Sequence, residues 1–151
     1  MKIESTLVGV AGEYFVAAEL SRRGYLASIT LRNSRGVDII ASSADASRSV
    51  SIQVKTSNDG RRQRWMLTKK ADSYATPNHF YVFVTLRDVE ERPEFYVVPS
   101  TVVAEHCSRT HREWIHRKKV DGTFRKDSAV RVFTDPDGTY REAWHLLEVP
   151  D

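Results

Sequence analysis

Three polar side chains sit where strand periodicity would let them act together: Asp38, Gln53 and Lys55. Asp38 lies inside a short apolar segment, Gly36-Val37-Asp38-Ile39-Ile40-Ala41, and the other two inside a second, Val50-Ser51-Ile52-Gln53-Val54-Lys55-Thr56. A polar run, residues 42–49, separates them, as expected for two neighbouring strands joined by a surface loop. In the second strand Ile52 and Val54 point one way and Gln53 and Lys55 the other. Burial of the apolar pair therefore fixes where the polar pair emerges. An acid, an amide and an ammonium on core strands are costly to desolvate unless they face a cleft or a ligand. Oxygen donors of this kind suit a hard cation such as Mg²⁺. Asp38, Gln53 and the backbone carbonyl of Val54 would be its ligands, with Lys55 orienting water or stabilising developing charge. The chemistry that calls for such a set is hydrolysis of a phosphodiester bond. Glu13 would complete the site, directly or through a bound water.

The elements that must hold these residues can be read on either side. Residues 5–23 predict a helix with an apolar stripe of Leu7, Ala11, Tyr14, Phe15 and Ala18. Ser5 or Thr6 would cap its start and Gly24 end it. Glu13 lies next to Gly12 and one turn after Gly9, and glycines inside a helix suggest a close approach on that face. Residues 25–31 predict a first strand, and 32–35 a polar turn into the Asp38 strand. A basic cluster, Arg61, Arg62 and Arg64, follows the Lys55 strand. Trp65 after it is either a base-stacking platform or a core residue. A short helix over 68–74, with Thr68 as cap, carries Lys69 and Lys70 in its first turn.

The run 79–86 is continuously apolar and predicts a central strand covered on both faces. Residues 94–98 predict another strand, stopped by Pro99, and Ser100 caps a helix over 101–106 that extends towards Trp114. Beyond it the chain turns basic. A short strand over 130–133, an Asp135-Pro136-Asp137-Gly138 turn and a terminal helix over 140–147 docking Trp144 and Leu147 close it. His106, Cys107, His111 and His116 match no standard zinc spacing. The order reads as a mixed sheet flanked by helices in an α/β protein.

The 151 residues suit one domain, 1–151, with a core over about 5–106 and a C-terminal extension over 107–151. A single cysteine excludes an internal disulfide, and no signal-peptide or membrane-spanning pattern is present. This points to a cytoplasmic protein with no membrane partner and no organic cofactor. The net charge of +3 is compatible with nucleic-acid binding without establishing it.

A helical glutamate, then Gly36-Val37-Asp38 opening a strand, then Ile52-Gln53-Val54-Lys55 on the next resembles the PD-(D/E)XK nuclease superfamily. The branch with Holliday-junction resolvases and methyl-directed restriction enzymes is the nearest match. The resemblance covers roughly the first 100 residues and implies a restriction endonuclease-like core. It matches Glu13, Asp38, Gln53 and Lys55 to that family's helical acid, aspartate, second ligand and lysine, with Mg²⁺ or Mn²⁺ as cofactor. No proline precedes Asp38, and glutamine stands where an acid is usual. Some members of such branches share that glutamine, which removes one negative charge and weakens metal binding. The expectation is a metal-dependent DNA endonuclease, with Arg61, Arg62, Arg64, Lys69 and Lys70 as phosphate contacts. A homodimer would suit cutting both strands. Two other readings use the same residues: a catalytically silent nucleic-acid-binding module, or a protein-interaction subunit of a defence or mobile-element system.

Overall fold

The computed structural model describes residues 3–31, 36–60 and 63–147. In order it contains α1 (Ser5–Arg22), β1 (Leu26–Ile29), β2 (Ile39–Ser42), β3 (Ser49–Ser57), β4 (Arg64–Thr68) and a 3-10 turn (Lys69–Asp72). There follow β5 (His79–Thr85), β6 (Glu94–Pro99), α2 (Ser100–His116), β7 (Val130–Thr134) and a second 3-10 turn (Trp144–Leu147). Five strands form one sheet in the order β1-β2-β3-β5-β6, and β4 and β7 pair antiparallel in a separate ribbon. Only the β3–β5 pair in the large sheet is parallel. This is the α/β arrangement of a mixed sheet flanked by helices that the sequence predicts.

Strand β5 shows why its apolar run is unbroken. Phe80, Val82 and Val84 enter a core with Val16 and Leu20 of α1, Ile52 and Val54 of β3, and Trp144. Tyr81 and Phe83 enter a second core on the opposite face with Trp65, Leu67, Tyr96, Val103 and Phe133. Phe83 and Phe133 stack with centroids 4.6 Å apart, and the indole N–H of Trp65 donates to the Val84 carbonyl at 3.0 Å. The extension after residue 106 thus supplies side chains to both cores.

Several local expectations are corrected. The predicted inward stripe of α1 is its outward one: Leu7, Tyr14 and Phe15 are exposed, while Val8, Gly12, Val16 and Leu20 are buried. The helix is apolar all round, so periodicity alone did not select a face, and the side with the small residue packs closest. An added Cβ at Gly12 would come within 1.8 Å of the Thr56 hydroxyl of β3. No side chain caps α1, which Glu4 precedes, though Gly24 at φ +88° does end it. Trp65 is core, only 2% exposed and closed to a base. It belongs to β4, a strand the sequence reading missed because it pairs only with distant β7. The helix expected over 68–74 is the 3-10 turn, without a side-chain bond from Thr68, and the terminal helix shortens to the second 3-10 turn. Ser100 does not cap α2: its hydroxyl donates to the Thr76 carbonyl at 2.8 Å and accepts the Thr76 N–H at 3.0 Å.

A buried charge fastens α1 to the far end of the chain. Glu19 pairs with Arg23, and with Arg92 at 3.1 Å, while Arg92 also pairs with Glu142 at 2.6 Å. Burial opposes the charge on Glu19, but the two guanidiniums outweigh it and hold the carboxyl below its ordinary range.

The tight seat of Gly12 makes a prediction. Gly12→Ala should destabilise the protein by about 1–3 kcal/mol through overpacking, although alanine favours helix. Urea denaturation measures it, and unchanged stability would mean that α1 does not rest on Thr56.

Candidate active site

The site is built where β3 outlasts β2. The antiparallel register pairs Ile39 with Ile52 and ends there, so Asp38 falls opposite Gln53. The Asp38 N–H donates to the Ile52 carbonyl at 2.8 Å, a last rung of the ladder. The next N–H on that side, Val54, has no β2 backbone opposite it. The Asp38 carboxylate takes it instead, through Oδ2 at 2.7 Å. Because a strand residue directs its N–H and C=O to the same side, the Val54 carbonyl also faces the Asp38 edge.

Gln53 and Lys55 alternate onto the face opposite α1, as the sequence predicts, because Ile52 and Val54 are locked in the α1 core. A cleft of about 720 Å³ is lined there by Gly36, Gln53, Lys55, Thr68, Lys70 and Tyr74, among others. Gly36, at φ +70°, brings backbone close to the Gln53 amide: a Cβ on it would lie 3.8 Å from Oε1. Lys55 also lines a second cleft of about 350 Å³ with Thr56, Asp59, Arg64 and Met66. The ammonium therefore stands between two concavities, with Arg64 on one rim and Lys70 on the other. Lys69 is exposed on the same 3-10 turn as Lys70, while Arg61 and Arg62 lie outside the described residues.

Glu13 is half-buried on α1. Its neighbour Gly12 seats against Thr56, one residue beyond Lys55, at the same unladdered end of β3. The Thr56 hydroxyl oxygen is buried there without a hydrogen-bond partner among the described residues.

Burial pushes the Asp38 carboxyl above its ordinary range, and the Val54 N–H and the Lys55 charge pull it back only in part. A desolvated carboxylate beside an ammonium is what a cation site needs before its ion arrives. Mg²⁺ fits the donors present by type: carboxylate, amide and backbone oxygen, with no sulfur. Among the described residues no three His, Cys, Asp or Glu side chains gather into a metal cluster, so a cation held here would draw on amide and backbone oxygens as well.

Sequence reasoning missed the support behind the cleft. Ser51 shares the face of Gln53, and its hydroxyl lies 2.7 Å from Nδ1 of buried His79. Burial holds His79 down at about 4, so it is neutral at neutral pH, and Tyr74 packs edge-on against it at 4.5 Å. The signal was available, since Ser51 has the same parity as Gln53 and Lys55. The residues once grouped as a zinc candidate are dispersed in function. Cys107 is buried with its thiol pushed up to about 12, His111 contacts Asp127 at 2.8 Å, and His116 contacts the Arg112 carbonyl at 2.7 Å.

No protein-family model matches this chain, and no curated protein sequence matches it. Among solved structures it is similar to a bacterial homing endonuclease, I-Ssp6803I, at 15% identity and a TM-score of 0.57, covering 97% of this chain and 92% of that one. A looser likeness, at 10% identity and a TM-score of 0.40, is to the Holliday junction resolvase Hjc of Archaeoglobus fulgidus, covering 80% and 85%. The likeness to I-Ssp6803I shows the fold alone, and it is consistent with the restriction endonuclease-like core that the sequence resembles. No helix among the described residues is long and apolar enough to cross a membrane.

The raised Asp38 carboxyl gives a signed prediction. A native group that holds its proton more tightly than the unfolded chain loses stability as pH rises through its titration. Asp38→Asn removes that loss and keeps an oxygen for the Val54 N–H. In EDTA the variant should be at least as stable as wild type, with an advantage larger at about pH 8 than at about pH 4. Urea titrations at both pH values measure it, and an advantage that shrinks with rising pH would contradict the geometry.

Proposed function

We propose that this protein is a metal-dependent DNA endonuclease. The observation that carries the reading is the Asp38 carboxylate, desolvated beside Lys55 and bonded to Val54 N–H, at the split between two strands of a nuclease-like fold. Asp38, the Gln53 amide, the Val54 carbonyl and Glu13, directly or through water, would hold Mg²⁺ or Mn²⁺. Such a cation, when bound, activates a water molecule and offsets charge on the phosphoryl group. Lys55 donates from Nζ to the attacking water or to a phosphoryl oxygen as its charge grows. Val54 N–H fixes one oxygen of Asp38, so the carboxylate does not need to be positioned by the ion alone. Arg64 and Lys70 on the cleft rims, with Lys69, Arg61 and Arg62, contact the flanking phosphates and set register on the nucleic acid. Pairing of two such chains would present two sites to two strands.

One observation favours a second reading. Gln53 leaves the site with fewer carboxylates than its fold relatives are expected to use, and no acidic cluster stands among the described residues. A silent nucleic-acid-binding module would have the same clefts and cations without turnover.

Two experiments separate these readings. Linear, supercoiled and four-way-junction DNA should be cut with Mg²⁺ or Mn²⁺ and spared in EDTA. Lys55→Ala should lower the rate by about 10²–10³ while DNA affinity and folding persist. Cutting by Lys55→Ala at the wild-type rate would remove the lysine from its role, and absence of cutting by wild type on any of the three would favour the silent module.

The second experiment needs no substrate. Binding of a cation to the native state raises stability by about 2.7 kcal/mol at 100 times its dissociation constant. Calorimetry should show that Mn²⁺ raises the melting temperature of wild type and leaves Asp38→Asn unmoved. Equal shifts in both proteins would show that Asp38 is no ligand.

A further inference from the structure

The segment between α2 and β7 continues a basic surface that begins in the last turns of α2. Residues 112–126, from the last turns of α2 into this segment, hold six basic side chains and two acidic ones, a net +4 against +3 for the whole protein. The six are Arg112, Arg117, Lys118, Lys119, Arg125 and Lys126, and all but half-buried Arg125 are exposed. The segment is not a loose strap. The Lys119 N–H donates to the Thr123 carbonyl at 2.9 Å, and the Gly122 N–H to the Lys119 carbonyl at 2.9 Å, with Gly122 at φ +81°. Asp121 accepts the Thr123 N–H and hydroxyl at 3.0 and 2.6 Å, and Arg125 Nε donates to the Arg117 carbonyl at 3.0 Å. A pre-formed turn loses little freedom on binding.

Its aromatic content sets it apart from a solvated charge run. Phe124 is 72% exposed, with the Lys118 ammonium 5.2 Å from its ring. Nothing in either core needs it. A phenylalanine held open among cations is the pairing that single-stranded nucleic acid uses, bases on rings and phosphates on ammonium groups. A duplex hides its base faces and would use the charges alone.

The chain leaving the turn reaches the rim of the cleft. The Lys69 N–H donates to the Ala129 carbonyl at 2.8 Å, so the end of this segment abuts the 3-10 turn whose Lys70 lines the Lys55 cleft. Arg131 of β7 pairs with Asp72 of the same 3-10 turn at 2.9 Å, and Asp127 meets His111 of α2 at 2.8 Å.

We propose that the 117–126 turn binds an unpaired DNA strand flanking the bond held at the Lys55 cleft, with Phe124 stacking on a base and Lys118 and Lys119 on its phosphates. The proposal rests on the nucleic-acid reading of the cleft and specifies the form of its substrate. Fluorescence anisotropy tests it in EDTA, with a labelled single-stranded oligonucleotide and the same sequence as a duplex. Phe124→Ala should weaken single-strand binding about tenfold and leave duplex binding within about twofold, with Phe124→Tyr retaining both. The double variant Lys118→Ala, Lys119→Ala should lower the slope of log affinity against log salt for the single strand by about 1.4. Phe124 is exposed, so an unchanged melting temperature confirms that its variants fold. Unaltered single-strand affinity in Phe124→Ala overturns the proposal. So do equal losses for both DNA forms, which would make the turn a general phosphate contact, and so does a wild type with no single-strand affinity. Because EDTA prevents cleavage, failure of the endonuclease reading leaves this binding result standing, and a cutting enzyme with a silent turn defeats this proposal alone.

Discussion

A strand that runs on after its neighbour has stopped leaves backbone groups to satisfy, and here one carboxylate does it. β3 is fixed on one side by β5 from Ser51 to Ser57, but β2 pairs with it only as far as Ile39 and Ile52. A buried N–H without an acceptor is costly, and the Asp38 side chain supplies that acceptor for Val54. The same bond fixes the carboxylate opposite Gln53 and beside Lys55, so the strand-end requirement and the chemical constellation are one arrangement. Gly36 serves it by a backbone angle that other residues resist, and Gly12 by letting α1 reach the same end of β3.

The two cores explain why that end stays open. On the α1 side Ile52 and Val54 are packed by Val16 and Leu20. On the other side the β4–β7 ribbon and α2 cover β5 and β6, where Tyr81, Phe83 and Tyr96 lie, but they do not close over Gln53 and Lys55. The cleft is the gap between the ribbon and the large sheet. Its rim is drawn from β4 and the 3-10 turn, which is how Thr68 and Lys70 come to share it with Lys55.

Electrostatics follow burial rather than composition. With a net charge of +3 the chain is nearly balanced, yet its charges are sorted. Glu19 and Glu142 are consumed by Arg23 and Arg92 in fastening the termini together, while cations around the clefts and on the 117–126 turn are left at the surface. Asp38 keeps a carboxyl pushed up by desolvation close to an ammonium, a state that a bound cation would relieve.

The sequence by itself determined the strand pair and its parity. Alternation of Ile52 and Val54 with Gln53 and Lys55 is a local property, and burial of the apolar pair forces the polar pair outward. It likewise determined β5, because seven consecutive side chains, all buried, must lie between two packed layers. Only the tertiary structure decided which face of α1 turns inward, since that helix is apolar all round and the choice rests on the fit of Gly12 against a threonine 44 residues away. It also decided that Trp65 is core and that β4 exists at all, because its partner β7 is distant in sequence and no local pattern encodes such pairing. The carboxylate–amide bond from Asp38 to Val54 belongs to the same class. Residue types supplied the acid and the strand, but only the point where β2 stops made one the partner of the other.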